Sequence, residues 1–134
     1  MTLDKINGLH SFIDSAEWPL LDADHAVAGL GGSVAAYREV AQVFLDHLPK
    51  ALAALASPGA AHELLPVVHE LGSSLGTVGA LRAHRVARAI EARWRGGDVN
   101  DAAQSAALLQ ALVAASVEAL TAALREPLDQ PARV

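Results

Sequence analysis

The sequence predicts an all-α protein, an up-down-up-down antiparallel four-helix bundle with a short N-terminal capping helix. Three observations favour this fold. Apolar residues recur at steps of three and four along four long segments, which is the period of a buried helix face. Of the 134 residues 52% are hydrophobic but only 4% are aromatic, so the core must use small aliphatic side chains, which suit helices better than sheets. The segments are joined by short connections, which place successive helices antiparallel.

The N-terminal part of the chain is the least regular. Residues 1–19 are expected to form a linker or an extra helix, 20–126 the bundle, and 127–134 a C-terminal tail. A short helix is predicted from about Asp22 to Leu30, because Asp22 can accept hydrogen bonds from the free N–H groups of a first turn. The pair Gly31-Gly32 ends this helix.

The first two long helices are predicted over residues 34–56 and 60–78, separated by Ser57-Pro58-Gly59. Ser33 can cap the first of them. Its inward face holds residues spaced at the helical period, namely Val34, Tyr37, Ala41, Phe44, Leu48, Leu52 and Leu55. The inward face of the second is formed by Leu64, Val68, Leu71, Leu75 and Val78, and Gly79 ends that helix.

The last two helices are predicted over residues 81–95 and 99–125. The first carries Ala83, Ala87, Ile90 and Trp94 inward, and its arginines are expected to form a solvated helix face. Gly96-Gly97 stops this helix and Asp98 is expected to cap the next one. The final helix has the most regular inward repeat, Ala102, Ala106, Leu109, Val113, Ser116, Leu120 and Leu124, and it ends before Pro127.

Composition and charge exclude several classes of function. A net charge of -5 argues against nucleic-acid binding, which needs a basic surface. The chain has no cysteine, so disulfides and thiolate metal sites are excluded. No apolar run reaches the roughly 18 residues of a membrane span, and the first residues lack the pattern of a signal peptide. We therefore expect a soluble, monomeric, cytoplasmic domain that does not insert into a membrane.

The familiar signatures of metal, nucleophile and phosphate sites are incomplete. The His-Glu-x-x-His pattern begins at His62 and at His69, but the fifth positions are Pro66 and Ser73. Seven residues of helix separate the two histidines by about 10 Å, too far for one metal ion. The run from Gly29 to Ser33 lacks the lysine of a phosphate-binding loop. We expect neither a metal nor a cofactor in this chain.

One histidine combines exposure with small neighbours. At about 100° per residue, His69 points away from the apolar stripe of its helix. We expect Leu65, Pro66, Gly72, Ser73 and Gly76 to lie on the same outer face, where the small residues leave clearance for a large partner. A neutral imidazole nitrogen is a nucleophile near pH 7 and can attack phosphorus. His69 is therefore the candidate catalytic residue, although an ordinary surface histidine is the simpler interpretation of the residue by itself.

The run from His69 to Ala80 resembles the histidine phosphotransfer (HPt) domain family of bacterial phosphorelays. The family motif is His-x-Leu-Lys-Gly-Ser-x-x-x-Leu-Gly-Ala. The chain matches it without a gap at the histidine, the first leucine, the serine and the closing pair, which are His69, Leu71, Ser74 and Gly79-Ala80. Further similarity lies in Leu21-Asp22, Gly31-Gly32, Tyr37, Phe44-Leu45, Glu91 and Gly97-Asp98. The resemblance covers about residues 20–125.

This resemblance implies a phosphoryl carrier without kinase activity of its own. A receiver domain would dock over His69, Nε2 would take the phosphoryl group from the receiver's aspartate, and a second receiver would accept it later. Leu65, Pro66, Gly72, Ser73 and Gly76 would line the docking surface. The receiver would supply the carboxylates and Mg²⁺, because we expect no acidic residue near His69 apart from Glu70.

Two departures from the motif leave alternatives open. The family's lysine, thought to favour the phosphoryl group electrostatically, is Gly72 here, and the family's glycine is Ser73. Either a nearby arginine substitutes for the lysine, or transfer is slowed, or the chain is a degenerate HPt-like bundle that binds a partner without phosphotransfer. A dimerising histidine-kinase domain fits less well, since it would contribute two helices per subunit. The resemblance also allows this chain to be the C-terminal domain of a membrane-anchored hybrid sensor histidine kinase.

Overall fold

The computed structural model describes residues 18–57 and 59–126, and within them every regular element is an α-helix. The helices are α1 (Ala23–Gly29), α2 (Val34–Ala56), α3 (Ala61–Val78), α4 (Leu81–Arg95) and α5 (Ala102–Arg125). The all-α prediction is confirmed. The expectations for residues 1–17 and for the 127–134 tail lie outside the described residues.

The two predicted N-terminal caps are confirmed. Oδ1 of Asp22 accepts a hydrogen bond of 3.0 Å from the backbone N–H of His25 at the start of α1. Oγ of Ser33 accepts one of 3.0 Å from the N–H of Ala36 at the start of α2. Between these helices, Gly31 and Gly32 adopt φ values of 74° and 83°, which side chains disfavour. The glycine pair therefore allows the sharp turn from α1 into α2.

The predicted inward faces of the four long helices form one core. Except for Leu52, Ala102 and Leu124, which are half-buried, each predicted inward residue of α2 to α5 is buried. Tyr37 contributes a polar group to this core, and its hydroxyl donates a 2.7 Å hydrogen bond to the carbonyl oxygen of Val78. Burial raises the pKa of Tyr37 to about 12. The hydrogen bond joins the beginning of α2 to the end of α3.

Helices α3 and α4 form an antiparallel pair joined only by Gly79 and Ala80. Contacts run in opposite directions along the two helices, from Gly76 against His84 back to His69 against Glu91. Gly79 has φ 87°, and a Cβ there would overlap the carbonyl oxygen of Asp22. The short turn therefore fixes which residues of α3 and α4 face each other. The complete up-down-up-down order of the bundle stays a prediction.

The predicted cap of the last helix is wrong. Helix α5 begins at Ala102 and its N-cap residue is Asp101, not Asp98. Instead, Nη2 of Arg93 lies 3.4 Å from Oδ2 of Asp98 and 3.5 Å from Oδ2 of Asp101. The corner between α4 and α5 includes residues 99–101, for which the sequence pattern predicts helix, and both carboxylates contact Arg93 at this corner.

Helix α5 corrects the expectation that no segment is long and apolar enough to span a membrane. It has 24 residues and a mean hydropathy of 1.8 in its most apolar window, so by length and composition it could span a membrane. Its large apolar side chains nevertheless pack in the core, and its exposed positions carry only alanine, glutamine, glutamate or arginine. Helix α5 therefore contributes to the core, although only 28% of this apolar window is buried.

Candidate functional site

His69 lies on the outer side of α3, as its position in the apolar repeat predicts. Its side chain is 51% exposed, whereas Val68, Leu71 and Leu75 on the opposite face are at most 4% exposed. One turn earlier, Leu65 is half-buried and Pro66 is exposed. The helix therefore presents the imidazole at the surface while its other face anchors it in the core.

The ring of His69 is held by a carboxylate from the neighbouring helix. Its Nδ1 lies 2.7 Å from Oε2 of Glu91 on α4. The Glu91 side chain is only 10% exposed. It also accepts hydrogen bonds from Arg88 on Oε1, at 2.9 Å, and from Arg95 on Oε2, at 3.0 and 2.8 Å. A buried carboxylate thus has three cationic or hydrogen-bonding partners around it.

These partners keep Glu91 ionised. Burial by itself raises the pKa of the Glu91 carboxyl, but the hydrogen bonds from Arg95, His69 and Arg88 outweigh burial and lower it from 4.5 to about 2. An ionised carboxylate can only accept hydrogen bonds. Nδ1 of His69 must therefore carry the proton in the 2.7 Å contact, which leaves the lone pair of the neutral ring on Nε2.

A second contact reaches His69 from α4 through Arg88. Its Nη1 lies 3.4 Å from both Nδ1 and the carbonyl oxygen of His69. Its Nη2 donates a 2.9 Å hydrogen bond to Oγ of Ser73, one helical turn beyond the histidine. The guanidinium therefore bridges Glu91 on its own helix and the exposed face of α3.

The predicted open positions of Gly72 and Gly76 are wrong. Gly72 is buried, and a Cβ there would lie 3.2 Å from Cβ of Ala87. Gly76 is half-buried, and a Cβ there would lie 2.9 Å from Nδ1 of His84. The imidazole of His84 in turn makes a 2.7 Å hydrogen bond with the carbonyl oxygen of Gly72. These glycines leave room for α4 to approach α3, and only Ser73 of the three small residues is exposed.

Two expectations about charge near His69 also fail. The first expectation is that Glu70 is the one acidic residue near His69, but Glu91 contacts the imidazole directly. The second is that the arginines of α4 form a solvated face, but Arg88 and Arg95 bind the Glu91 carboxylate. The position of Glu91 opposite His69 could have been predicted from the two-residue connection after Val78. In an antiparallel pair with so short a turn, residues equally far from the turn face each other, and His69 and Glu91 are such a pair.

An apolar groove lies between α2 and α3. Its volume is about 800 Å³. On the α2 side it includes Val43, whose side chain is 56% exposed, and Phe44. On the α3 side it includes Glu70, which directly follows His69 in the sequence, and Ser74, five residues after it. His69 itself does not line the groove, because its ring faces Glu91 on α4.

The arrangement suits transfer of a group to and from the imidazole. Nε2 makes no hydrogen bond to a described residue, while Nδ1 is fixed by Glu91. Within residues 18–57 and 59–126, no group of three or more histidine, aspartate or glutamate side chains is placed to hold a metal ion. His69 can therefore present Nε2 as a nucleophile, and the Glu91 carboxylate can offset a positive charge on the ring.

Comparison with protein families gives one result that bears on this site. The family model for the Hpt domain matches residues 39–126, a range that includes His69, Ser73, Arg88 and Glu91. Searches of curated proteins and of solved structures found no match.

Proposed function

Because the chain belongs to the Hpt domain family, a family of phosphotransfer modules in two-component phosphorelays, we propose that His69 carries the phosphoryl group. In this proposal His69 accepts the group from an aspartate of one receiver domain and passes it to an aspartate of another. The observation that carries the proposal is the state of the imidazole. Its Nδ1 is hydrogen-bonded to ionised Glu91 and its side chain is 51% exposed, so Nε2 is available as a nucleophile.

The transfer step follows from this tautomer. The Nε2 lone pair attacks the phosphorus of the receiver's aspartyl phosphate, and the bond between phosphorus and the aspartyl oxygen breaks. The aspartate carboxylate leaves with the electron pair of that bond. The ring retains its Nδ1 proton and gains positive charge, which the adjacent Glu91 carboxylate offsets. Transfer to the second receiver is the reverse step, and each receiver would supply its own Mg²⁺ and acidic residues.

The apolar groove between α2 and α3 includes Glu70, the sequence neighbour of His69, and supports a docking surface on this part of the bundle. We assign the receiver's contact to the exposed part of the groove, which includes Val43. Leu65, Pro66 and Ser73 would form the rim around the histidine, since they lie one turn before and after it. Gly72 and Gly76 contribute by allowing α4 to pack against α3, since they do not lie on the open surface.

Phosphoryl transfer from a panel of radiolabelled phospho-receivers tests the proposed function. Wild-type chain should acquire acid-labile, base-stable label, and His69→Gln should acquire none. His62→Gln is the matched control, because His62 is an exposed histidine on the same helix and its loss should not alter labelling. Receiver binding without label on the wild type would instead favour the degenerate interaction module.

Docking is tested by receiver titration with two variants of exposed valines. Val43→Asp places a charge in the groove and should weaken binding of the receiver that phosphorylates His69 by tenfold or more, on the scale of a central interface residue. Val99→Asp makes the same change at the corner before α5, where Val99 is 44% exposed. Equal weakening by both variants would exclude the groove as the docking surface.

A further inference from the structure

We propose that Arg88 supplies the positive charge that binds the phosphoryl group on His69, and that Gly72 provides the space through which it reaches the site. This inference rests on the proposed function of His69 as phosphoryl carrier. It assigns to a residue of α4 the role that the resemblance implies for a lysine at position 72 of α3.

The position of Arg88 supports this assignment. Its guanidinium lies against His69 and Ser73, with Nη1 3.4 Å from Nδ1 of the imidazole and Nη2 2.9 Å from the serine hydroxyl. The side chain is 36% exposed, so it can contact a group that arrives from solvent. Among the described arginines, Arg95 binds Glu91 only, and Arg85 lies 4.0 Å over the ring of Trp18. Arg88 is the arginine in contact with the reacting side chain.

The space at Gly72 links the glycine to the arginine. A Cβ at position 72 would lie 3.3 Å from Nη1 of Arg88 and 3.2 Å from Cβ of Ala87. Both distances are tighter than ordinary van der Waals contacts, so even a Cβ would require its neighbours to move by a few tenths of an ångström, and a longer side chain would compete with the guanidinium for this space. The departure from the family motif at position 72 therefore leaves this space to the arginine.

Charge explains why an arginine is useful there. A phosphoryl group brings up to two negative charges, and the Glu91 carboxylate next to the ring is already negative. Arg95 and Arg88 offset Glu91 in the unmodified site. A guanidinium has more N–H donors than its contact with Glu91 uses, and it forms strong hydrogen bonds with phosphoryl oxygens. Arg88 can keep Nη1 on Glu91 while Nη2 exchanges Ser73 for a phosphoryl oxygen.

Phosphoramidate is a probe that tests Arg88 without a receiver. Nε2 attacks its phosphorus, the phosphorus–nitrogen bond breaks, and ammonia leaves with the electron pair. We would measure phosphohistidine formation by ³¹P NMR for wild type, Arg88→Ala and Arg88→Lys, with Arg85→Ala as the matched control on the same helix. Arg88→Ala should react about 10- to 100-fold more slowly, the range for one charge-assisted hydrogen bond. Arg88→Lys should be intermediate, and Arg85→Ala should match wild type.

Introducing a lysine at position 72 distinguishes an Arg88 that supplies charge from an Arg88 with a purely structural role. In a background with Arg88→Ala and Ala87→Gly, which removes both side chains that a Cβ at position 72 would meet, Gly72→Lys should restore much of the lost rate. In the wild-type background, Gly72→Lys should give no increase, because Arg88 occupies that space. A rate increase by Gly72→Lys with Arg88 present would overturn the proposal.

The possible failures are distinguishable. If His69 of the wild type takes no phosphoryl group from phosphoramidate or from any receiver, the proposed function itself fails. If wild type and Arg88→Ala react equally fast, His69 is the carrier but Arg88 does not assist it. The tautomer of His69 in Arg88→Ala, read by ¹⁵N NMR, must remain that of the wild type. A slow variant with an altered tautomer would show that Arg88 acts only by positioning Glu91, which also overturns the proposal.

Discussion

Nδ1 of His69 and Oε2 of Glu91 lie 2.7 Å apart, although the residues are 22 positions apart in sequence and on different helices. Glu91 is ionised, exposed by only 10%, and bound by two arginines. The exposed imidazole therefore has a fixed hydrogen-bond partner on its inner nitrogen. This relationship determines which nitrogen is available for chemistry, and it leads to the first two predictions.

Removal of the Glu91 side chain should change the tautomer of His69. In wild type we expect the neutral ring to carry its proton on Nδ1, because the tautomer is set by the partner of that nitrogen. Glu91→Ala should abolish this preference and slow phosphohistidine formation by about tenfold or more, since the positive charge on the ring loses its counter-charge. ¹⁵N NMR of His69 measures the tautomer. A proton on Nε2 in wild type would contradict the proposed site.

The interactions of Glu91 should make stability depend on pH in the acid range. Its pKa is lowered from 4.5 to about 2, so its stabilising contribution is fully present above about pH 4.5 and is lost as the pH falls towards 2. The contribution is at most about 3 kcal/mol. Urea unfolding of wild type and Glu91→Gln should therefore give a stability difference that shrinks over this window. The exposed Glu70→Gln serves as control, and a difference constant from pH 6 to pH 2 would argue against the ion-pair cluster.

Truncation of Leu71 should destabilise the bundle, because its side chain lies in the core on the face of α3 opposite His69. Leu71 is 4% exposed on the inner face of α3, and a Leu→Ala change in a core costs about 2–5 kcal/mol. Ser74→Ala, three residues later on the exposed side of the same helix, should change the free energy of unfolding by less than about 0.5 kcal/mol. Chemical denaturation measures both values, and similar losses for the two variants would be inconsistent with the placement of α3.

Two glycines with positive φ should differ in their tolerance of alanine. Gly31 has φ 74° and nothing near its missing Cβ, whereas the Cβ of an alanine at position 79, where φ is 87°, would overlap Asp22. Gly31→Ala should cost about 1–2 kcal/mol from backbone conformation alone. Gly79→Ala should cost about 1–3 kcal/mol more, the usual range for overpacking. Thermal unfolding of the pair checks the order, and equal losses would show that the turn between α3 and α4 has room to relax.

The helices, their inner faces and the exposed position of His69 could be predicted from the order of residues alone. These features depend on local information: the period of apolar residues, and glycine and capping residues at the helix ends. The faces of α2, α3 and α4 were predicted almost residue by residue. Where local signals compete, as at Asp98 and Asp101, the predicted start of α5 is wrong, and the structure places both carboxylates against Arg93 of α4.

The surroundings of the histidine depend on how the helices pack against one another. Glu91 and Arg88 reach His69 from another helix, and their contacts depend on the rotation and register of α4 against α3, which no pattern within one helix specifies. The same packing buries Gly72 and turns Gly76 towards His84, although their positions around α3 alone suggested an open surface. A helical repeat shows which side of a helix is apolar. Which polar residues share an interface is decided by the neighbouring helix, because only close packing brings their atoms within hydrogen-bonding distance.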